Sequence, residues 1–148
     1  MTDASFPARW ANAIVLLARC ALALVFLMAF ASKAMMFGMT AATIAAAGFP
    51  AASLLAFLAA LFELGLVLAL VTGAFFSELL LLGAIYVLFL AFAFHGPSHW
   101  TDAKNLELGA FVSHFPFAAG MLFAAVSGPG RLLALRRQLG RRAQPTNG

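Results

Sequence analysis

Residues 51–73 read AASLLAFLAALFELGLVLALVTG, an apolar run broken by one charge, Glu63. At 1.5 Å per helical residue, a run of this length crosses the ~30 Å hydrocarbon layer of a bilayer. Three further runs of the same kind occupy residues 11–36, 78–95 and 104–126. None of them alternates apolar and polar residues with period two, which argues against a strand barrel; leucine, alanine and phenylalanine simply continue. The expected fold is therefore all-α: an integral membrane bundle of four transmembrane helices, filling residues 1–130 and followed by a basic tail at 131–148.

The 148 residues are 64% hydrophobic and 9% charged, against about a quarter charged in ordinary soluble domains, and no polar segment is long enough to bury a core of its own. The net charge of +4 does not indicate nucleic acid. Most of the excess sits in Arg131, Arg136, Arg137, Arg141 and Arg142, just past the last run, where an orientation signal belongs. Arg9 and Arg19 precede or open the first run. Both termini are thus expected in the cytoplasm, and an even number of spans lets them share that side. Leu132, Leu135 and Leu139 share one helical face with arginines around them, so the tail is expected either to lie as a helix on the anionic inner leaflet or to act as a topology signal alone. Ala29-Phe30-Ala31 imitates a secretory cleavage site, but the preceding run is long and holds Arg19, so a retained first helix is expected. Cys20 has no internal partner for a disulfide and reads as packing.

Between the first two runs, Met39 to Phe49 is alanine-rich and too short to span, so a short helix is expected in the first outer loop. Thr40 is placed to cap it, Gly48 to end it and Pro50 to enter the first turn of the second span. Asp102 is a fair N-cap for the fourth span, Pro116 should kink that helix by removing a hydrogen bond to the carbonyl of Val112, and Gly128-Pro129-Gly130 should stop it.

Polar side chains inside the spans are costly in lipid and carry the functional leads. Glu63 lies near the bilayer midplane. An isolated carboxylate there takes up a proton or finds a cation or histidine partner. Depth counting puts His114 at a similar level on the fourth span, so a Glu63–His114 contact is one expectation. The other is that His114 only donates to a backbone carbonyl freed by Pro116. Near the outer surface Ser32, Lys33, His95, Lys104, Asn105 and Glu107 all fall within two turns of the interface and could form a polar vestibule above Glu63. Taken singly, Lys33 and Lys104 are long side chains at helix ends that can snorkel to headgroups.

Arg19 with the run to Ser32-Lys33, Gly48-Phe49-Pro50, Glu63 with its leucine-rich turn to Gly73, His95, Lys104-Asn105 and Gly128-Pro129-Gly130-Arg131 follow one another in an order and spacing that resemble the DoxX family of small four-helix bacterial membrane proteins, over about residues 13–131. The resemblance implies the bacterial inner membrane and a role as subunit or partner of redox machinery. Namesakes include a membrane-bound thiosulfate:quinone oxidoreductase, and relatives are linked to complexes handling thiols and oxidative stress. It carries over Lys33, Glu63, His95 and Asn105. Ser77-Glu78 departs from the basic residue usual before the third span, and His114 lies outside the family pattern.

Three functions remain open on the sequence. In a redox subunit, Glu63 would move protons, His95 or His114 would relay them, and Lys33 would steady an anionic donor. A quinone would enter laterally from lipid among the phenylalanines, with Asn105 and His114 as cofactor-binding candidates. The chain has no CxxC, flavin or nucleotide fingerprint, so electrons would come from a partner protein or a diffusible thiol or sulfur donor. A non-catalytic scaffold would dock its partner on the basic tail. A transporter would need a homo-oligomer, because one four-helix bundle encloses little space. Met35, Met36 and Met39 with His95 and His99 form a weak copper-like set, and no metal site is assigned.

Overall fold

The computed structural model describes residues 8–100 and 106–135. Among these, five α-helices and one short 3-10 turn account for the regular structure: α1 (Ala8–Met35), α2 (Phe37–Ala46), α3 (Ala52–Thr72), α4 (Phe76–His95), the turn Pro97–His99, and α5 (Leu106–Ser127). Helices α1, α3, α4 and α5 are long and apolar enough to cross a membrane, and α2 is the short helix between the first two. This is the four-span, all-α bundle expected. The spans differ from the sequence boundaries by up to three residues.

Large side chains such as Leu17, Met28, Phe57, Ile85, Phe123 and Val126 point outward, as lipid-facing residues do. Small ones fill much of the core: Ala56, Ala69, Ala84, Ala91 and Ala118 are all buried. In lipid the hydrophobic effect cannot drive helices together, so close backbone approach over small residues and the van der Waals contact it permits must do so. Packing is most extensive between α4 and α5 and between α1 and α3, whereas α3 and α4 touch much less. The bundle is therefore two tight pairs with a looser seam.

Gly83 marks the tightest point of that core. A Cβ there would collide with Met121 Cε and stand 2.9 Å from Leu66 Cδ2, whereas one at Gly65 would meet nothing within 4 Å. Gly83→Leu is expected to cost about 1–3 kcal/mol through overpacking, with Gly65→Ala neutral or slightly stabilising. Thermal unfolding in detergent checks this, and equal midpoints for the two variants would refute it.

The helix ends follow the glycines. Gly48, Gly73 and Gly128 all have positive φ, and each closes or follows a helix as expected. Gly73 is required twice over, because its φ is 74° and an added Cβ would lie 3.0 Å from Ala134 Cα. Several local expectations are corrected. Thr40 does not cap α2, which begins at Phe37; its hydroxyl donates back to Met36 O at 3.3 Å. Pro50 precedes α3 in a turn instead of entering its first turn. Cys20 faces outward and takes no part in the core. Asp102 lies outside the described residues.

Arg19 is the largest departure. It is no free charge opening α1: it lies well inside that helix, 2% exposed, with all five guanidinium hydrogens used. Nε donates to Leu70 O at 2.7 Å, Nη2 to Val71 O (2.9 Å) and Leu133 O (3.0 Å), and Nη1 to Pro129 O (2.9 Å) and Leu132 O (2.8 Å). The last four carbonyls of a helix have no partner within it. In α3 those of Leu70 and Val71 are taken by Arg19, that of Ala69 by the Gly73 N–H and that of Thr72 by the Leu135 N–H. A cation at a helix C-terminus also opposes the negative end of its dipole.

The same contacts fix residues 129–135, which form bends and turns, so over Leu132 and Leu135 the helical one of the two expectations for this segment is not met. Asn12 Oδ1 accepts the Arg131 N–H, tying this segment to the start of α1. Residues 136–148, with the rest of the tail arginines, lie outside the described residues.

Candidate functional site

Along α3, Ala56, Ala60, Glu63, Leu66 and Leu70 recur every three or four residues and are all buried, so Glu63 occupies a core position by helical periodicity alone. Its side chain is 2% exposed. Oε1 receives Lys33 Nζ at 2.8 Å and the Tyr86 hydroxyl at 2.9 Å, so α1, α3 and α4 meet on one oxygen. Oε2 is buried and has no hydrogen-bond partner among the described residues. A buried carboxylate oxygen without a donor is costly, so this atom is where a proton or a donating ligand is best accommodated.

Lys33 stands in the last turn of α1, and its expected snorkel to the headgroups is replaced by this inward ion pair. Its side chain nevertheless remains 20% exposed. It thus connects the buried carboxylate with the end of the bundle at which α1 terminates, called here the Lys33 end; the opposite one is the Arg19 end.

Tyr86 has a second face. With Phe62, Phe89 and Phe94, Ile44 of α2 and Phe49 of the α2–α3 turn, it lines a cavity of about 370 Å³ in the looser seam between α3 and α4. The aromatic rings set its walls: Phe62 meets Tyr86 edge-on at 5.1 Å between centroids, and Phe49 meets Phe89 at 5.8 Å. Apart from the Tyr86 hydroxyl, the lining side chains are apolar. A groove of this size with almost wholly apolar walls suits a flat apolar ligand arriving from lipid.

His95 and His114 belong to another place. His95 Nδ1 donates to Glu107 Oε2 at 2.7 Å, and its ring lies 5.3 Å from that of His114, tilted by 38°. His114 Nδ1 donates to Ala110 O at 2.6 Å, one helical turn earlier. The expected Glu63–His114 contact is thereby replaced by Glu63–Lys33. His114 does donate to a backbone carbonyl, though that of Ala110 and not that of Val112. The expected vestibule divides: Lys33 joins Glu63, His95 and Glu107 form a separate pair, and Ser32 bonds to Ala29 O in its own helix. Lys104 and Asn105 lie outside the described residues. Among the described residues, no three His, Cys, Asp or Glu side chains converge on a metal position.

Sequence reasoning missed Tyr86 and the buried role of Arg19. Tyr86 is the chain's single tyrosine, set in the third span among leucines and phenylalanines, and that solitary hydroxyl at depth was the available signal. The fold and this site define a multi-pass α-helical membrane protein with a charged pair at its centre. The DoxX family model matches residues 14–96, more than half of the chain, and the chain belongs to the DoxX family. The matched region holds Arg19, Lys33, Glu63, Tyr86 and His95 and stops short of α5. No curated protein and no solved structure matches the chain.

Proposed function

We propose that this protein is the membrane-embedded member of a redox assembly and holds an apolar carrier of the quinone class in the groove between α3 and α4. The observation carrying this reading is that Tyr86 lines the groove and at the same time donates to the buried Glu63. A quinone supplies two-electron, two-proton chemistry when bound. Its ring fits the aromatic walls of the groove, and its tail can remain in lipid. The protein's own residues supply the rest: the Tyr86 ring walls the groove while its hydroxyl ties that wall to Glu63, Glu63 holds or yields a proton, and Lys33 pairs with the carboxyl from the other side. Electrons come from a partner protein or from a thiol or sulfur donor. The bacterial inner membrane, with both termini cytoplasmic, is the compartment we assign, placing the Arg19 end inside.

The test is quinone reduction in native membranes containing wild-type or Glu63→Gln protein at matched expression, alongside direct binding of a short-chain benzoquinone to the purified protein. Loss of a proton-handling group is expected to lower the rate about 10²–10⁴-fold while binding changes little. An undiminished rate in Glu63→Gln would remove Glu63 from the reaction, and failure of the benzoquinone to bind wild type would remove the quinone.

A further inference from the structure

Resting on the reading of Glu63 as a proton-handling group, we infer that its carboxyl exchanges protons with water at the Lys33 end of the bundle only. Two asymmetries carry this. Toward the Lys33 end, Glu63 Oε1 contacts the Lys33 ammonium, whose side chain is partly exposed. Toward the Arg19 end, Leu66, Leu70, Leu80 and Met121 follow, each no more than 1% exposed. They pack so closely that a Cβ on Gly83 would have to push aside the side-chain tips of Met121 and Leu66. Behind this apolar plug lies the guanidinium of Arg19, a fixed positive charge that repels a hydrated proton.

The titratable groups around the site agree with one-sided access. From α1 it is Lys33 that faces Glu63, and from α4 it is Tyr86. Helix α2 has no titratable residue. His114 and Glu107 of α5 engage the His95 side of α4. The transfer balances simply. The O–H bond of the Glu63 carboxylic acid breaks, Lys33 takes that proton as it gives one of its own to water, and the products are a carboxylate, the same ammonium ion and a hydronium ion. Run in reverse the same step recharges Glu63, so protons consumed by quinone reduction at the groove would be drawn from one side of the membrane, giving the site a direction.

The test uses the full chain in sealed liposomes, with orientation scored by protease access to a C-terminal tag. Dicyclohexylcarbodiimide, which enters through lipid and reacts with protonated carboxyls, labels the protein while internal and external pH are set independently. Mass spectrometry locates the adduct, with Glu63→Gln as control. Labelling of Glu63 is expected to fall up to about tenfold per unit rise in pH on the Lys33 side, and to ignore pH on the Arg19 side. Labelling that follows the Arg19 side, follows both sides equally, or never forms would overturn the inference. Benzoquinone binding and reduction are measured separately. One-sided labelling without quinone chemistry would sink only the redox reading, and quinone chemistry without one-sided labelling would sink only the access route.

Discussion

Arg19→Leu is expected to loosen the whole Arg19 end of the bundle, at a cost of about 3–5 kcal/mol, since each buried acceptor left unpaired costs about 1–3 kcal/mol and the outermost of the five can turn to water. Leucine fills part of the space but leaves the carbonyls of Leu70, Val71, Pro129, Leu132 and Leu133 without their donor. Two of these end α3, where neither the helix nor lipid can replace the lost bond. Arg19→Lys should fall between, because an ammonium keeps the charge but offers three donors from one point in place of a planar fork of five. Unfolding in mixed detergent micelles reads the stability. Trypsin cleavage at Arg131 reads the local release, since residues 129–135 are held by the same guanidinium. A variant with a wild-type unfolding midpoint and wild-type cleavage would show that the clasp contributes nothing.

The second large effect concerns the pair at the centre. Lys33→Met is expected to destabilise by about 3 kcal/mol, because it leaves a nearly inaccessible carboxylate with the Tyr86 hydroxyl as its remaining partner. The loss is limited because a carboxyl can take up a proton in place of staying charged. Glu63→Gln should cost less, about 1–2 kcal/mol, since the partly exposed Lys33 can swing its ammonium toward water. The double variant Lys33→Met/Glu63→Gln buries no charge and should recover most of the loss, with a coupling of about 2–3 kcal/mol. Strict additivity in that cycle, read from unfolding midpoints, would mean that the ion pair does not hold α1 to α3.

These outcomes separate two kinds of knowledge about the chain. Residues 51–73 and their three counterparts had to be membrane helices, because a long apolar run in lipid must satisfy its backbone within itself. Gly48, Gly73 and Gly128 marked helix ends because a left-handed backbone is cheap only without a Cβ. Glu63 stood out because a lone carboxylate at mid-depth is expensive wherever it points. Each of these rests on local chemistry and length, which a sequence carries in full.

Partners were a different matter. Counting residues gives the depth of a side chain but neither its direction around the helix axis nor which helices adjoin. His114 and Glu63 therefore looked like neighbours, while Lys33, nominally at the surface, was the one that reached down. Tyr86 resembled any aromatic in an apolar helix until the seam between α3 and α4 gave it a groove on one side and a carboxylate on the other. Arg19 looked like an orientation charge because the carbonyls it gathers lie 51 to 114 residues away in the chain. By itself the sequence determined the spans, their ends and the presence of a costly charge. Only the tertiary structure decided which groups offset that charge, because hydrogen bonds and ion pairs act over a few ångströms, and the fold alone brings distant residues that close.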